Sequence, residues 1–151
     1  MSSYLRFFGM IGTSVVAMFI LTYVNSWAFD HVFFSETRAY MVLYMGAVMA
    51  VVMLVWMWDM YEGTGKKFGI VAGSALVFAL AVWLVRSQET VQDVSWMKAM
   101  IPHHSIAILT SERAEISDPR VRELANEIIE AQRREIDEMK RLIADLEGPG
   151  G

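Results

Sequence analysis

The sequence predicts an all-α protein: three transmembrane helices followed by an extramembrane antiparallel helical hairpin. Two observations carry this. Three long windows contain no charge, and beyond them the charged residues crowd into a segment with helical periodicity. The windows between Arg6 and Asp30, Arg38 and Asp59, and Lys67 and Arg86 hold 23, 20 and 18 residues. A helix rises about 1.5 Å per residue, so roughly 20 residues cross a hydrocarbon core about 30 Å thick. A helix also keeps its backbone hydrogen bonds internal, as hydrocarbon demands.

The first span is expected from Leu5 to Trp27. Gly9, Gly12, Thr13 and Ser14 give it a small-residue face for a close helix neighbour. Tyr23 and Trp27 fall where an interfacial aromatic belt would be. Its apolar run is too long for a signal-peptide core and lacks a small-x-small cleavage site, so it reads as a retained anchor. The second span runs from Ala39 to Trp58, with Trp56, Trp58 and Tyr61 marking its far interface. The turn Glu62–Lys67 breaks the chain, and the third span runs from Phe68 to Val85. The charge bias across the membrane is small. The Lys66–Lys67 pair in a short loop favours a cytoplasmic N-terminus and an extracytoplasmic hairpin, as in a bacterial inner or plasma membrane.

Residues 1–86 thus form a transmembrane domain and 87–151 the hairpin domain. The segment from Arg86 onward holds 9 of the 13 basic and 13 of the 17 acidic residues, and so the whole net charge of −4. An acidic surface argues against nucleic acid, which needs clustered Lys and Arg. The chain has no cysteine, which excludes disulfides, thiolate metal sites and thiol catalysis. The first hairpin helix is expected from Thr90 to Ile116. Asp118–Pro119 supplies an N-cap and an N1 proline for the second, which runs to about Glu147 and stops at the frayed tail Gly148–Gly151. The short connection makes the pair antiparallel.

The second helix reads as a seam of Val121, Ala125, Ile128, Gln132, Glu135, Met139, Leu142 and Leu146. Gln132 and Glu135 interrupt it, and burying them without partners costs several kcal/mol. On the first helix Met97, Met100, His104, Ile108 and Ser111 share a face. His103 lies about 100° round the helix from His104, at the edge of the seam. An antiparallel pairing sets these imidazoles and thioethers against Met139, Glu135 and Gln132. Such a donor set favours Cu(I), with Ag(I) as its analogue, over Mg, Ca or Mn. Pro102 removes a helix hydrogen bond just before the histidine pair, a distortion that would open groups for coordination. The competing reading is a His-Gln-Glu cluster that hydrogen-bonds with itself and fixes the helix register.

Met100-Ile101-Pro102-His103-His104-Ser105-Ile106-Ala107, followed by Leu124–Ile129 and by Gln132–Met139, resembles the domain of unknown function 305 family. The resemblance covers Val94 to Leu146. It implies a ferritin-like half-bundle, and some members of the family are extracytoplasmic copper or silver binders that use His and Met. Three spans depart from the soluble or singly anchored form usual there.

Met41, Met45, Met49, Met53 and Met57, with Met60 beyond, recur along the second span. A step of four residues drifts about 40°, so the row winds round the helix. It reads either as a thioether ladder or, preferred, as an adaptable packing stripe; a conducting path usually needs polar or ionisable groups inside the bilayer, and none of the three windows holds a charged one. Asp30 and His31 could add a ligand, although a lone loop histidine is more often solvated.

The expected function is membrane-anchored binding of copper for extracytoplasmic sequestration or transfer. Met97, Met100, His103, His104 and Met139 are the expected ligands. Glu135 and Gln132 orient imidazole or join the set. Expected partners are the lipid bilayer, further copies of the chain and a copper-handling protein. The alternative is a structural module whose hairpin drives oligomerisation. Catalysis is not expected. No Glu precedes a His by three, as a ferritin-like di-iron site would need, and no Ser-His-Asp, P-loop or nucleotide fingerprint occurs.

Overall fold

A computed structural model describes residues 3–148. Every regular element among them is helical: α1 Ser3–Leu21, α2 Glu36–Trp56, α3 Thr64–Ser87, α4 Asp93–Arg113 and α5 Pro119–Glu147, with short 3-10 turns at Phe29–His31 and Trp58–Met60. The expected fraying of the tail beyond Gly148 lies outside the described residues. Helices α1, α2 and α3 are each long and apolar enough to cross a membrane.

The chain forms two compact units. The first comprises residues 3–22 and Thr37–Thr90. Its core is Phe7, Ala50, Leu54 and Tyr61, against which Ile11, Met53, Met57 and Ile70 pack. The ring of Tyr61 meets Phe7 edge-on at 5.4 Å and Tyr4 at 5.2 Å. Tyr61 is therefore a core residue of this unit, while Trp56 is exposed. The α2–α3 turn is closed by polar contacts. Tyr4 Oη donates to the Glu62 carbonyl at 2.7 Å, and Lys67 Nζ donates to the Trp58 carbonyl at 2.6 Å while lying 4.5 Å from the indole ring. At the other end, Gln88 adopts a left-handed conformation, and its N–H bonds back to the Leu84 carbonyl at 3.0 Å, stopping α3. The methionine row winds as the 40° drift requires. Met53 and Met57 reach the core, whereas Met41, Met45 and Met60 are exposed.

The second unit comprises Tyr23–Glu36 and the chain from Val91 to residue 148. The first span is thus shorter than expected. The helix ends at Leu21, and Tyr23 and Trp27, expected in an interfacial belt, belong to the loop of this unit. A window without charge is not itself a span. Here its last residues find polar partners outside a helix, with Tyr23 Oη accepting from Ser35 N at 3.0 Å. Helix α4 is also shorter than the expected Thr90–Ile116, and it passes through Pro102 without breaking. The α4–α5 turn is built as the sequence implies. Asp118 accepts from Arg120 N at 2.9 Å, Pro119 opens α5, and Arg122 donates to the Ser111 carbonyl in the last turn of α4 at 3.0 Å and to the Ala114 carbonyl just beyond it at 2.7 Å.

Within the first unit α1 and α2 approach closely at Gly46, where an added Cβ would lie 2.5 Å from Val15 Cγ2. Valine is stiff at χ1 and yields little. Gly46→Leu is therefore expected to force α1 and α2 apart and destabilise the unit by about 1–3 kcal/mol. Thermal unfolding in detergent checks this, and an unchanged midpoint would rule out the close approach.

Candidate functional site

Helix α5 packs on α4 through Ala125, Ile136, Met139 and Ile143, with Ile129 and Gln132 partly buried between them. The steps alternate four and three, which is the heptad spacing of a packed helix pair. The register differs from the sequence reading. Ala125, Gln132 and Met139 belong to the seam as expected, but Ile129, Ile136 and Ile143 replace Val121, Ile128, Glu135, Leu142 and Leu146, all of which are exposed. On α4 the buried residues are Met97, Ile101, Pro102, Ser105 and Ile108, so Ile101 and Ser105 take the places expected for Met100 and His104.

The expected ligands divide into two groups. Met97 and Met139 are buried in the apolar core with Ile101 and Ile143, and Met100 packs against it. His103 is exposed, and its ring centroid lies 6.1 Å from that of His104. His104 reaches across to α5, where its Nδ1 is 3.2 Å from Glu135 Oε2. The approach is not aligned for a hydrogen bond, so His104 Nδ1 is buried without a partner. Gln132 Oε1, one turn earlier on α5, is also buried and unpaired. Two of the expected polar residues therefore hold unsatisfied polar atoms inside the hairpin, which is costly unless something meets them. Burial pushes the His104 imidazole below its ordinary value; Glu135 opposes the shift and His103 adds to it. Neutral imidazole is the form that binds a metal. Among the described residues no three of His, Asp and Glu come together in a metal-sized group. Coordination within these described residues would need other donors beside them, such as a thioether or the Gln132 amide oxygen.

The sequence reading missed a second polar cluster. Ser105, fully buried, accepts from Trp27 N at 2.6 Å and lies 3.0 Å from His31 Nδ1. Lys140 on α5 pairs with Asp30, whose carboxyl is held below its usual value by that contact. The His31 side chain is only 12% exposed, so this histidine is not the solvated loop residue that was expected. Burial, then the nearby Lys140 charge, hold its imidazole below the ordinary value. Trp27, His31, Ile108, Arg133 and Asp137 line a cavity of about 270 Å³ there. No local signal marks this cluster, since its partners are 74 to 110 residues apart.

The family described as domain of unknown function, DUF305, matches residues 82–149. An uncharacterized protein, L153, of Acanthamoeba polyphaga mimivirus is 32% identical over 141 residues, covering 89% of this chain and 91% of the relative. The chain belongs to the DUF305 family. The DUF305 match encloses α4 and the whole of α5, and with them every expected ligand. The similarity to the mimivirus protein extends well beyond the DUF305 match, into the apolar helices. No solved structure matches the chain.

Two outcomes test this geometry. Ser105→Ala strands the Trp27 N–H and is expected to cost about 1–3 kcal/mol in chemical denaturation; a neutral effect would mean that the loop is not held there. His31 and His104 both have lowered imidazole values, so the unfolded chain takes up protons that the folded unit resists. Their contribution is complete above the ordinary value of 6.5 and is lost as the pH falls through the lowered folded-state values. Protection of the α4 and α5 amides, corrected for the intrinsic slowing of exchange, should therefore fall as the pH drops from about 7.5 to about 5, and less steeply in His31→Gln. Equal slopes in the two proteins would refute the contribution of His31.

Proposed function

We propose that this protein is a membrane-anchored binder of a soft monovalent cation, Cu(I) or its analogue Ag(I), which its helical hairpin sequesters or hands on outside the cytoplasm. The observation that supports this most is the buried, unpaired Nδ1 of His104 beside Glu135, on a hairpin whose core also contains Met97 and Met139. Imidazole and thioether suit a soft ion, and the absence of cysteine leaves those as the soft donors of the chain. Met100 and the exposed His103 adjoin the pair and complete the donor set; Gln132 and Glu135 orient the rings or bind in turn.

Placement of the hairpin on the extracytoplasmic side draws on the cationic end of the first unit. Lys66 lies 5.4 Å from the Tyr4 ring and Lys67 donates to the Trp58 carbonyl, so both lysines of the pair sit at the α2–α3 turn, where the positive-inside tendency counts them. The bilayer is then the anchor, and a copper-handling protein receives or supplies the ion. No chemical transformation of a substrate is part of this role.

Isothermal titration of the full chain in detergent, with Cu(I) under reducing conditions, tests the proposal. Wild-type protein should bind, and His103→Ala/His104→Ala should lose at least tenfold in affinity, about 1.4 kcal/mol. Equal affinity in the two proteins would end the proposal.

A further inference from the structure

Helix α5 is amphipathic on two faces. One stripe lies against α4. Turned from it by roughly 70° at 100° per residue is a second. Val121, Leu124, Ile128, Leu142 and Leu146 are exposed at 48, 55, 36, 45 and 47%. Trp96 of α4 is 51% exposed as well. An apolar stripe running the length of a helix in a water-facing unit marks an interface. A helix in a four-helix bundle has two helix neighbours, whereas among the described residues α5 packs on one helix, α4, with the Trp27–His31 loop beside it.

The stripe has a centre. Glu135 lies within it, seven residues from both Ile128 and Leu142 and eleven from both Leu124 and Leu146. A two-fold axis passing between two α5 helices at the level of Glu135 therefore sets Ile128 opposite the partner's Leu142 and Leu124 opposite the partner's Leu146. Such an interface is self-complementary. It also fits in shape. Trp96, Met97, Leu142 and Leu146 line a groove of about 480 Å³, and the same axis delivers the partner's Leu124 to it. One flank of the stripe carries Glu127, Glu138 and Asp145, with Arg134 and Arg141 beside them. An acidic flank disfavours a lipid surface, whose peripheral helices carry basic flanks. The axis instead brings Glu127 to about 3 Å, along the helix, from the level of the partner's Arg141.

We infer that a second copy of this chain covers the bare face of α5, antiparallel, so that two hairpins make one four-helix bundle whose middle joins His104 and Glu135 of both copies. The cation-binding part of this rests on the soft-metal proposal; the packing part does not. One chain brings no three of His, Asp and Glu together among its described residues. Two copies bring two His104 imidazoles to two Glu135 carboxylates. Two carboxylates brought together at an interface repel unless a cation or a shared proton lies between them. The half-site of each chain is thus completed by its partner.

The chain has no cysteine among its described residues, or elsewhere in the sequence, so introduced thiols report unambiguously. In full-length protein in detergent, without metal, Glu135→Cys should link to itself with a short thiol crosslinker. Ile128→Cys and Leu142→Cys should each fail alone, because like residues lie about 21 Å apart along the bundle, and should link when mixed. Links of residue 128 to 128 and 142 to 142 would mean parallel packing and overturn the inference. Absence of any link, with a monomeric mass in light scattering, would also overturn it. The cation part is read separately. Cu(I) should saturate at one ion or one pair of ions per two chains, and Leu124→Glu/Leu146→Glu should yield a monomer with at least tenfold weaker binding. Unchanged binding by that monomer would remove the shared site while leaving the dimer. A crosslinked dimer that binds no Cu(I) at all would remove the soft-metal proposal itself.

Discussion

Ile129, Ile136 and Ile143 turn α5 so that its isoleucine edge, not its leucine edge, meets α4. The rest of the hairpin follows from that rotation. It carries Glu135 out of the core to the margin, where His104 can reach it across the helix pair at 3.2 Å. It keeps Met139 inside, beside Met97, and leaves Gln132 half-buried with an unmet carbonyl oxygen. It also determines which apolar side chains remain in water. A rotation of about 70° the other way would bury the carboxylate and expose the isoleucines, at a cost in desolvation that the apolar phase avoids.

Much of this was legible in the sequence, and the failures have physical causes. The three spans and the hairpin follow from charge spacing and from the Asp118–Pro119 cap, because both are local constraints that the backbone must obey. The seam was misread because α5 contains two apolar stripes with the same seven-residue repeat. Ile128 and Leu142 compete with Ile129, Ile136 and Ile143 at a single residue's offset, and periodicity alone does not choose between them. The shared members Ala125, Gln132 and Met139 sit where the two phases overlap. The end of the first span was misplaced because Tyr23 and Trp27 suit an interfacial belt and a folded loop equally well.

The contacts between Trp27 or His31 and Ser105 lay beyond any local reading, since 78 and 74 residues separate the pairs. Ser105 is also unremarkable within its helix, where a serine is ordinary. The methionine row illustrates the converse. Its spacing is conspicuous, yet Met53 and Met57 fill core space while Met41, Met45 and Met60 stand exposed, as a drifting row must. A regular interval in sequence becomes a continuous line in space only when it matches the helical repeat.

The loop between α1 and α2 joins the hairpin unit, so that unit is assembled from two separated stretches of chain. During synthesis Trp27 and His31 leave the ribosome well before Ser105 exists to receive them. They wait while α2 and α3, each long and apolar enough to cross a membrane, are made. Closure of this long-range contact is a late event of high contact order, paid for in chain entropy. A fragment containing α4 and α5 alone would present Ser105 and its surroundings to water, missing the strap that the Trp27–His31 loop lays across them.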